Sequence, residues 1–322
     1  MGNVFNPVVL LAAASFSATP CAAAASANTA ATVNAEIDAT ESTAVQPTTV
    51  QSPAIESPAI DDPTVFKLSL TLEAWFPRLE GNFTDGPAEV DVRTPDLHDS
   101  EPTFAGALTL TRDRLSIAIR GFSFSTEGGG NASESFSLGG LSVGAGDAID
   151  TSFSWWSAGA QVAYDVYRPL AAQTTPWSDP RADWTAPANN TDLSVFALAS
   201  VDLQGIDRSL ADLTSGLVTD ANETFFVAAA GVGFRLAFDT RSRIPLVRRV
   251  ELGALAAGGV IAPLGGGELG FGARVEADLS AWFCNEGAVY FGYRYLGGTY
   301  EGEDMTLDGS LQGMRAGIRF VF

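Results

Sequence analysis

Cysteine is almost missing from this 322-residue chain, which has only Cys21 and Cys284. With Cys21 inside a segment that reads as an export leader, one thiol is left, too few for a disulfide framework or a Cys-based metal site. Long apolar runs are missing too: no stretch approaches the ~18 unbroken apolar residues a membrane helix requires, although 46% of the residues are hydrophobic. Basic residues are scarce, 18 Lys and Arg against 38 Asp and Glu for a net charge of -20. That balance removes the basic face on which phosphate binding depends, so no nucleic-acid partner is expected. What is present is dispersed apolar residues, 33 glycines and short polar breaks, a composition that suits an all-β sandwich or barrel.

Three segments follow one another. Residues 1–27 read as a signal peptide, with an apolar run over 8–14 and small residues over 21–27 suited to cleavage. Residues 28–64 are rich in Ala, Thr, Ser and Pro and repeat Ser52-Pro53-Ala54-Ile55-Glu56 as Ser57-Pro58-Ala59-Ile60-Asp61. Such a stretch buries too little apolar area to offset the entropy of ordering it, so it reads as a disordered linker. Residues 65–322 take on a period of two, the strand signature.

The alternation is clearest in four places. Phe66, Leu68, Leu70, Leu72, Ala74 and Phe76 form one apolar set, and Phe226, Ala228, Ala230, Val232, Phe234, Leu236 and Phe238 another. Leu269 to Ala281 and Met314 to Phe322 repeat it at every second residue, and none of these positions is charged. Weaker strands are expected over 103–111, 115–125, 151–168, 193–204, 247–262 and 288–300, making ten. The stretches 77–102, 126–150 and 205–222 read as long loops, and residues 112–114 and 285–287 as tight turns. The expectation is a closed antiparallel transmembrane β-barrel of about ten strands, with eight or twelve as neighbours.

A soluble barrel and a membrane barrel share this period and differ in which face meets lipid. The polar faces carry Gly231, Gly233, Gly270, Gly272, Gly313 and Gly317, which suits a crowded interior. Aromatic residues, among them Trp75, Phe76, Trp155, Trp156, Trp282, Phe283, Tyr290, Tyr293, Tyr295 and Tyr300, gather towards strand ends, as interfacial girdles do. Both favour an apolar face turned to lipid. The final strand, with Ile318, Phe320 and Phe322 on one side, resembles the assembly signal of Gram-negative outer-membrane proteins. Across about 70–322 the chain also resembles small OmpA-like, porin-type outer-membrane barrels. The resemblance lies in the opening Glu73-Ala74-Trp75-Phe76-Pro77-Arg78-Leu79-Glu80-Gly81, the closing Phe291-Gly292-Tyr293-Arg294-Tyr295-Leu296, and Gly317-Ile318-Arg319-Phe320-Val321-Phe322. It implies location in the bacterial outer membrane, with lipid and the barrel assembly machinery as partners, and no particular activity.

The positions opposite the apolar faces define the candidate site. Glu73, Arg120, Asp165, Arg235, Arg249, Glu251, Arg274, Glu276, Asp278, Arg294, Arg315 and Arg319 are expected in the lumen, where a bore of about ten strands is narrow enough for opposite charges to pair across strands and plug it. The role expected is structural or narrowly porin-like. A barrel-embedded hydrolase is the rival reading, resting on the lone histidine in His98-Asp99-Ser100. A soluble exported β-sandwich or barrel that binds a ligand is the other. Acidic loop residues such as Asp96, Asp99, Glu101, Asp147, Asp150, Glu301, Glu303 and Asp304 show no ordered ligand spacing. No metal, cofactor or catalytic group is expected, and oligomeric state stays open.

Overall fold

A computed structural model describes residues 66–322 apart from 86–87, 170–190, 241–245 and 285. The expected leader and linker lie outside the described residues. Thirteen strands follow in order: β1 (Lys67–Asp85), β2 (Ala88–Asp91), β3 (Thr103–Arg112), β4 (Leu115–Asn131), β5 (Phe136–Leu138), β6 (Leu141–Val143), β7 (Ala148–Tyr167), β8 (Thr191–Asp212), β9 (Leu217–Asp239), β10 (Arg249–Pro263), β11 (Gly270–Trp282), β12 (Gly287–Glu301) and β13 (Thr306–Val321). Ten of them, β1, β3, β4 and β7 to β13, pair with their neighbours in a single antiparallel sheet, and β13 returns to β1 to close it. The seam runs from Ser69↔Val321 to Thr84↔Thr306 without a slip. Closure removes the unpaired edges that an open sheet would present to lipid. Short β2 extends the β1 edge, and β5–β6 is a separate hairpin.

One end of the barrel, here the terminal rim, carries the start of β1, the end of β13 and the two-residue turn at Asp113-Arg114, where Asp113 takes φ 51°. An Asp tolerates that left-handed conformation better than most residues. The β7–β8, β9–β10 and β11–β12 connections start and end on the same rim, and the opposite end, the crown, carries the β1–β3, β4–β7, β8–β9, β10–β11 and β12–β13 connections. Toward the terminal rim the outer face of every strand is mostly apolar, although Phe196 and Leu198 of β8 point inward. Phe271, Val275, Phe291, Ile119 and Val232 are exposed, and on β9 the outward positions run Phe226, Ala228, Ala230, Val232, Phe234, Leu236 and Phe238 without a charge. Thirteen residues at ~3.3 Å rise span about 40 Å of strand. Tilted at ~45°, that covers about 28 Å, the thickness of a hydrocarbon core.

Toward the crown the meaning of the two faces reverses. Leu79 and Phe83 on β1, Phe124 on β4, Phe153 and Trp155 on β7, Ile206 and Leu210 on β8, Phe225 on β9, and Leu307 and Leu311 on β13 point inward and are 0–1% exposed. Their neighbours on the outer surface are Arg78, Glu80, Ser125, Glu127, Ser152, Asp220, Asn222 and Asp308. The ladder itself is continuous; only the apolar set moves to the other face.

The stretches expected as long loops are mostly strand. β1 runs on through Asp85 and β4 through Asn131, β7 starts at Ala148, and β8 and β9 stay paired from Gly205↔Thr224 to Asp212↔Leu217. The girdle expectation fails for Trp75, Trp155 and Tyr300, which lie inside the crown core, and for Trp282 and Tyr290, which line the lumen. Phe76, Phe283 and Tyr293 do face outward and are 41–46% exposed.

Candidate functional site

The bore is divided by height. Across its crown half run edge-to-face and tilted rings, Phe124 to Phe153 (6.4 Å between centroids), Phe153 to Trp155 (6.4 Å), Trp155 to Tyr300 (4.9 Å) and Tyr300 to Phe225 (5.2 Å). Aromatic rings prefer such geometries. Loops complete the seal. Val90, Val92 and Leu97 from the β1–β3 connection and Leu138, Leu141 and Val143 from the β5–β6 hairpin belong to the same buried cluster. The Thr151 hydroxyl donates to the Pro95 carbonyl at 2.6 Å. Gly128 permits the approach of this loop, because a Cβ there would overlap the Asp96 carbonyl oxygen.

At the floor of the seal the Gln204 carbonyl oxygen accepts from Trp155 Nε1 (3.2 Å) and from the Tyr300 hydroxyl (2.9 Å). Below it opens a cavity of about 830 Å³ that reaches the terminal rim at Lys67, Asp113 and Val321. All twelve residues singled out for the lumen line it. The structure brings them together in two groups.

The upper group centres on Glu73 and Glu276. Glu276 meets Arg274 (2.6 Å), Arg294 (2.8 Å) and Arg315 (3.0 Å), while Glu73 meets Arg294 (2.7 Å) and Arg315 (3.1 Å) and accepts from the Tyr290 hydroxyl (2.7 Å). Arg315 also reaches Asp278 at 3.3 Å. Every one of these carboxylates and guanidiniums has at least two partners or a bidentate one, the condition under which buried charge is tolerable. Arg120 stands apart, paired with Asp202 at 2.9 Å.

The lower group centres on Glu251, with Arg249 at 2.9 Å, Arg235 at 3.2 Å and Arg319 at 3.8 Å. Asp165 lies beside it and shares Arg168 with Asp192, each at 3.6 Å. Arg168, Asp192 and Asp202 were not singled out from the sequence. Asp192 and Asp202 sit at the inward parity of β8, a signal that was there to be read. Arg168 follows an irregularity in the β7–β8 register between Asp165 and Tyr167, which breaks the parity rule.

The charges therefore pair as expected, yet they line a cavity instead of filling the bore; the plug is the apolar crown. Charge is also sorted along the axis. The described crown segments (77–102, 126–150, 205–224, 263–269 and 299–309) hold 20 Asp and Glu against three Arg. The cavity lining holds nine of the chain's 18 Lys and Arg against eight acids.

The hydrolase reading draws on His98 and Ser100. The Ser100 hydroxyl donates to the Phe76 carbonyl at 3.3 Å, and His98 Nδ1 lies 3.7 Å from Asp96. The serine and histidine are not hydrogen-bonded to each other in this arrangement. Ile318, Phe320 and Phe322 face outward on and beyond β13, between 38% and 65% exposed.

A closed ring that turns a continuous uncharged apolar belt outward and encloses its ionised residues is the arrangement that only lipid stabilises. The protein is an outer-membrane β-barrel. No family model and no curated protein matches the chain. Among solved structures it is similar to the outer membrane protease OmpT from Escherichia coli (10% identity, TM-score 0.40, 81% of this chain and 98% of that one). It is also similar to Ail, the attachment invasion locus protein of Yersinia pestis (12%, 0.30, 79% and 97%), and to the P. putida toluene transporter TodX (12%, 0.27, 80% and 90%).

Proposed function

We propose that this outer-membrane barrel is a structural component whose lumen is a blind vestibule, sealed on the crown side and, among the described residues, open at the terminal rim. The observation that carries this reading is the buried ring stack and its loops, which occupy the bore where a conducting pore would need water. The tight Asp113-Arg114 turn and the short 283–286 connection support a terminal rim facing the periplasm and a crown facing outward, the usual polarity of such barrels, while the β7–β8 connection on that rim is long and its residues 170–190 lie outside the described ones. The narrow porin-like alternative requires the crown core to open.

Planar-bilayer recordings test this. The sealed reading predicts no steady conductance from the wild-type protein and ohmic current from a variant carrying Trp155→Ala, Phe225→Ala and Tyr300→Ala together. Steady wild-type conductance would overturn it.

The OmpA-like, porin-type kinship belongs to the same proposal. It is supported by the motif strands β12 and β13 being direct neighbours, with Tyr290 opposite Gly317. Lipid on the belt and the barrel assembly machinery on the Ile318, Phe320 and Phe322 stripe are the partners proposed, and a non-enzymatic role is proposed throughout. Ester or peptide hydrolysis that disappears in His98→Ala would instead establish the hydrolase.

A further inference from the structure

We propose that the outer wall of β1 binds the phosphate of a membrane lipid headgroup through Arg78 and Arg93, with the lipid's acyl chains laid on Phe76 and Phe104. The observation behind it is which charge each strand meets first above the belt. Along the outward face toward the crown that residue is Glu127 on β4, Asp150 on β7, Asp207 on β8, Asp220 on β9, Glu301 on β12 and Asp308 on β13, while β3, β10 and β11 carry none there. On β1 it is Arg78, two residues past Phe76, or about 7 Å along the strand. Of the three arginines in the described crown segments Arg208 is buried in the bore, so Arg78 and Arg93 are the two on the outer wall.

Register sets the neighbours. On one side Gln312 pairs with Arg78 and Met314 with Phe76; on the other Ser100 is bridged to Arg78 and Phe104 pairs with Ala74. Phe76 and Met314 are exposed and Phe104 is 83% exposed, so an apolar strip ends at a guanidinium flanked by two uncharged polar side chains. The Tyr293 hydroxyl donates to the side-chain carbonyl of Gln312 at 3.0 Å, which leaves the Gln312 amide N–H groups on the same face.

Glu80 stands one step higher. It meets Arg93 at 2.9 Å and Arg78 at 3.7 Å, the second longer than a hydrogen bond, and the two arginine side chains are 60% and 53% exposed. One carboxylate is thus shared by two guanidiniums. The next acids are engaged farther from the belt: Asp91 accepts from the Arg93 amide at 2.8 Å and Glu89 from the Asn82 side chain at 2.6 Å. Asp99, exposed before Ser100, lowers the net charge of the patch without coming between Arg78 and Phe76 in the strand. Charge is ordered by height, a cation at the lipid boundary and acids beyond it, where the rest of the outer wall is acidic. Headgroup phosphates lie in the layer that borders the hydrocarbon, and the planar guanidinium fork matches their oxygens.

The inference rests on the lipid partner proposed for the belt and is independent of whether the bore is sealed. The test uses the full-length refolded protein in the phosphate-free detergent dodecyl maltoside at low ionic strength, labelled with phenylglyoxal and mapped by peptide. Dioleoyl phosphatidylglycerol is expected to protect Arg78 and Arg93 saturably and at least threefold, whereas dioleoylglycerol and inorganic phosphate at the same concentration leave both labelled. In Arg78→Gln, on an exposed face, the lipid concentration that half-protects Arg93 is expected to rise at least fivefold. Equal protection by dioleoylglycerol would reduce the effect to apolar coverage, equal protection by inorganic phosphate would make it a free-anion site, and an unchanged half-protection in Arg78→Gln would remove Arg78 from it; each overturns the proposal. A barrel that inserts into phosphatidylglycerol vesicles without protecting either arginine overturns this proposal alone, and a chain that stays soluble without detergent overturns the lipid reading of the belt along with it.

Discussion

The crown and the belt are built from the same ten strands and hydrogen-bond ladder, yet their side chains obey opposite rules. In the belt, Val275 is 47% exposed and Glu276 is buried; in the crown, Leu79 is wholly buried and Arg78 is exposed. The backbone is indifferent to the change, because each strand satisfies its own polar groups through its neighbours at every height. What changes is the solvent outside. Where acyl chains surround the ring, apolar residues go outward and ions inside; where water surrounds it, the hydrophobic effect pulls apolar residues into the bore. One strand can serve both media by moving its apolar set across by a single residue, as β1 does between Phe76 and Pro77.

The comparison is sharpest at the largest effects. Trp155→Ala removes a fully buried ring from the crown and is expected to cost about 3–5 kcal/mol, read as a lower denaturant midpoint of the refolded protein. Glu276→Gln is expected to cost a similar ~3–5 kcal/mol, since it leaves Arg274, Arg294 and Arg315 without their shared counter-charge. Equal stability of Glu276→Gln and wild type would show that the lumen network is water-screened. Val275→Arg places a cation on the lipid face at about 2–4 kcal/mol, measured as the fraction that fails to show heat-modifiable migration. Ser152→Arg puts the same charge on the outer surface of the crown and is expected to stay within ~0.5 kcal/mol of wild type. If Ser152→Arg and Val275→Arg were equally damaging, the division by height would be wrong.

The smallest expected effect is acid fraying at the crown tip. Asp212 accepts from the Ser215 hydroxyl (2.6 Å) and amide (3.2 Å) and from the Thr214 amide (2.8 Å), which holds its carboxyl below the ordinary value, the Ser215 hydroxyl bond contributing most. A depressed folded-state pKa gives stability that is present above the unfolded value of about 3.9 and is lost as pH falls through the lower folded value. Amide exchange at Thr214 and Ser215 should therefore quicken, relative to the rest of the turn, only in that acidic window.

The belt was legible because lipid excludes charge from one face, so parity alone separates Val275 and Phe234 from Glu276 and Arg235. The twelve lumen residues follow from the same rule. The crown was not legible for a physical reason: at Phe76/Pro77, Gly121/Phe122 and Leu203/Gln204 the apolar set changes parity while the strand continues. A reader holding one phase sees the polar outer residues of 77–102, 126–150 and 205–222 as loop. The aromatic residues misled similarly, since Trp155 and Tyr300 lie near the water boundary in sequence and yet close the bore. Pairing of opposite charges was foreseeable from composition; the open cavity was not, because it depends on apolar side chains filling the other half.

The seam between β1 and β13 joins residues more than 220 positions apart in the chain, whereas the other ring contacts connect strands consecutive around the barrel. Hairpins can zip from local turns, but this last ladder must wait until both ends of the polypeptide have arrived. Until then the sheet is a curled ribbon with two raw margins, each a template for joining another molecule. Ring closure is thus a kinetic event as much as a geometric one, and slowing it should trade monomers for aggregates before native stability changes at all.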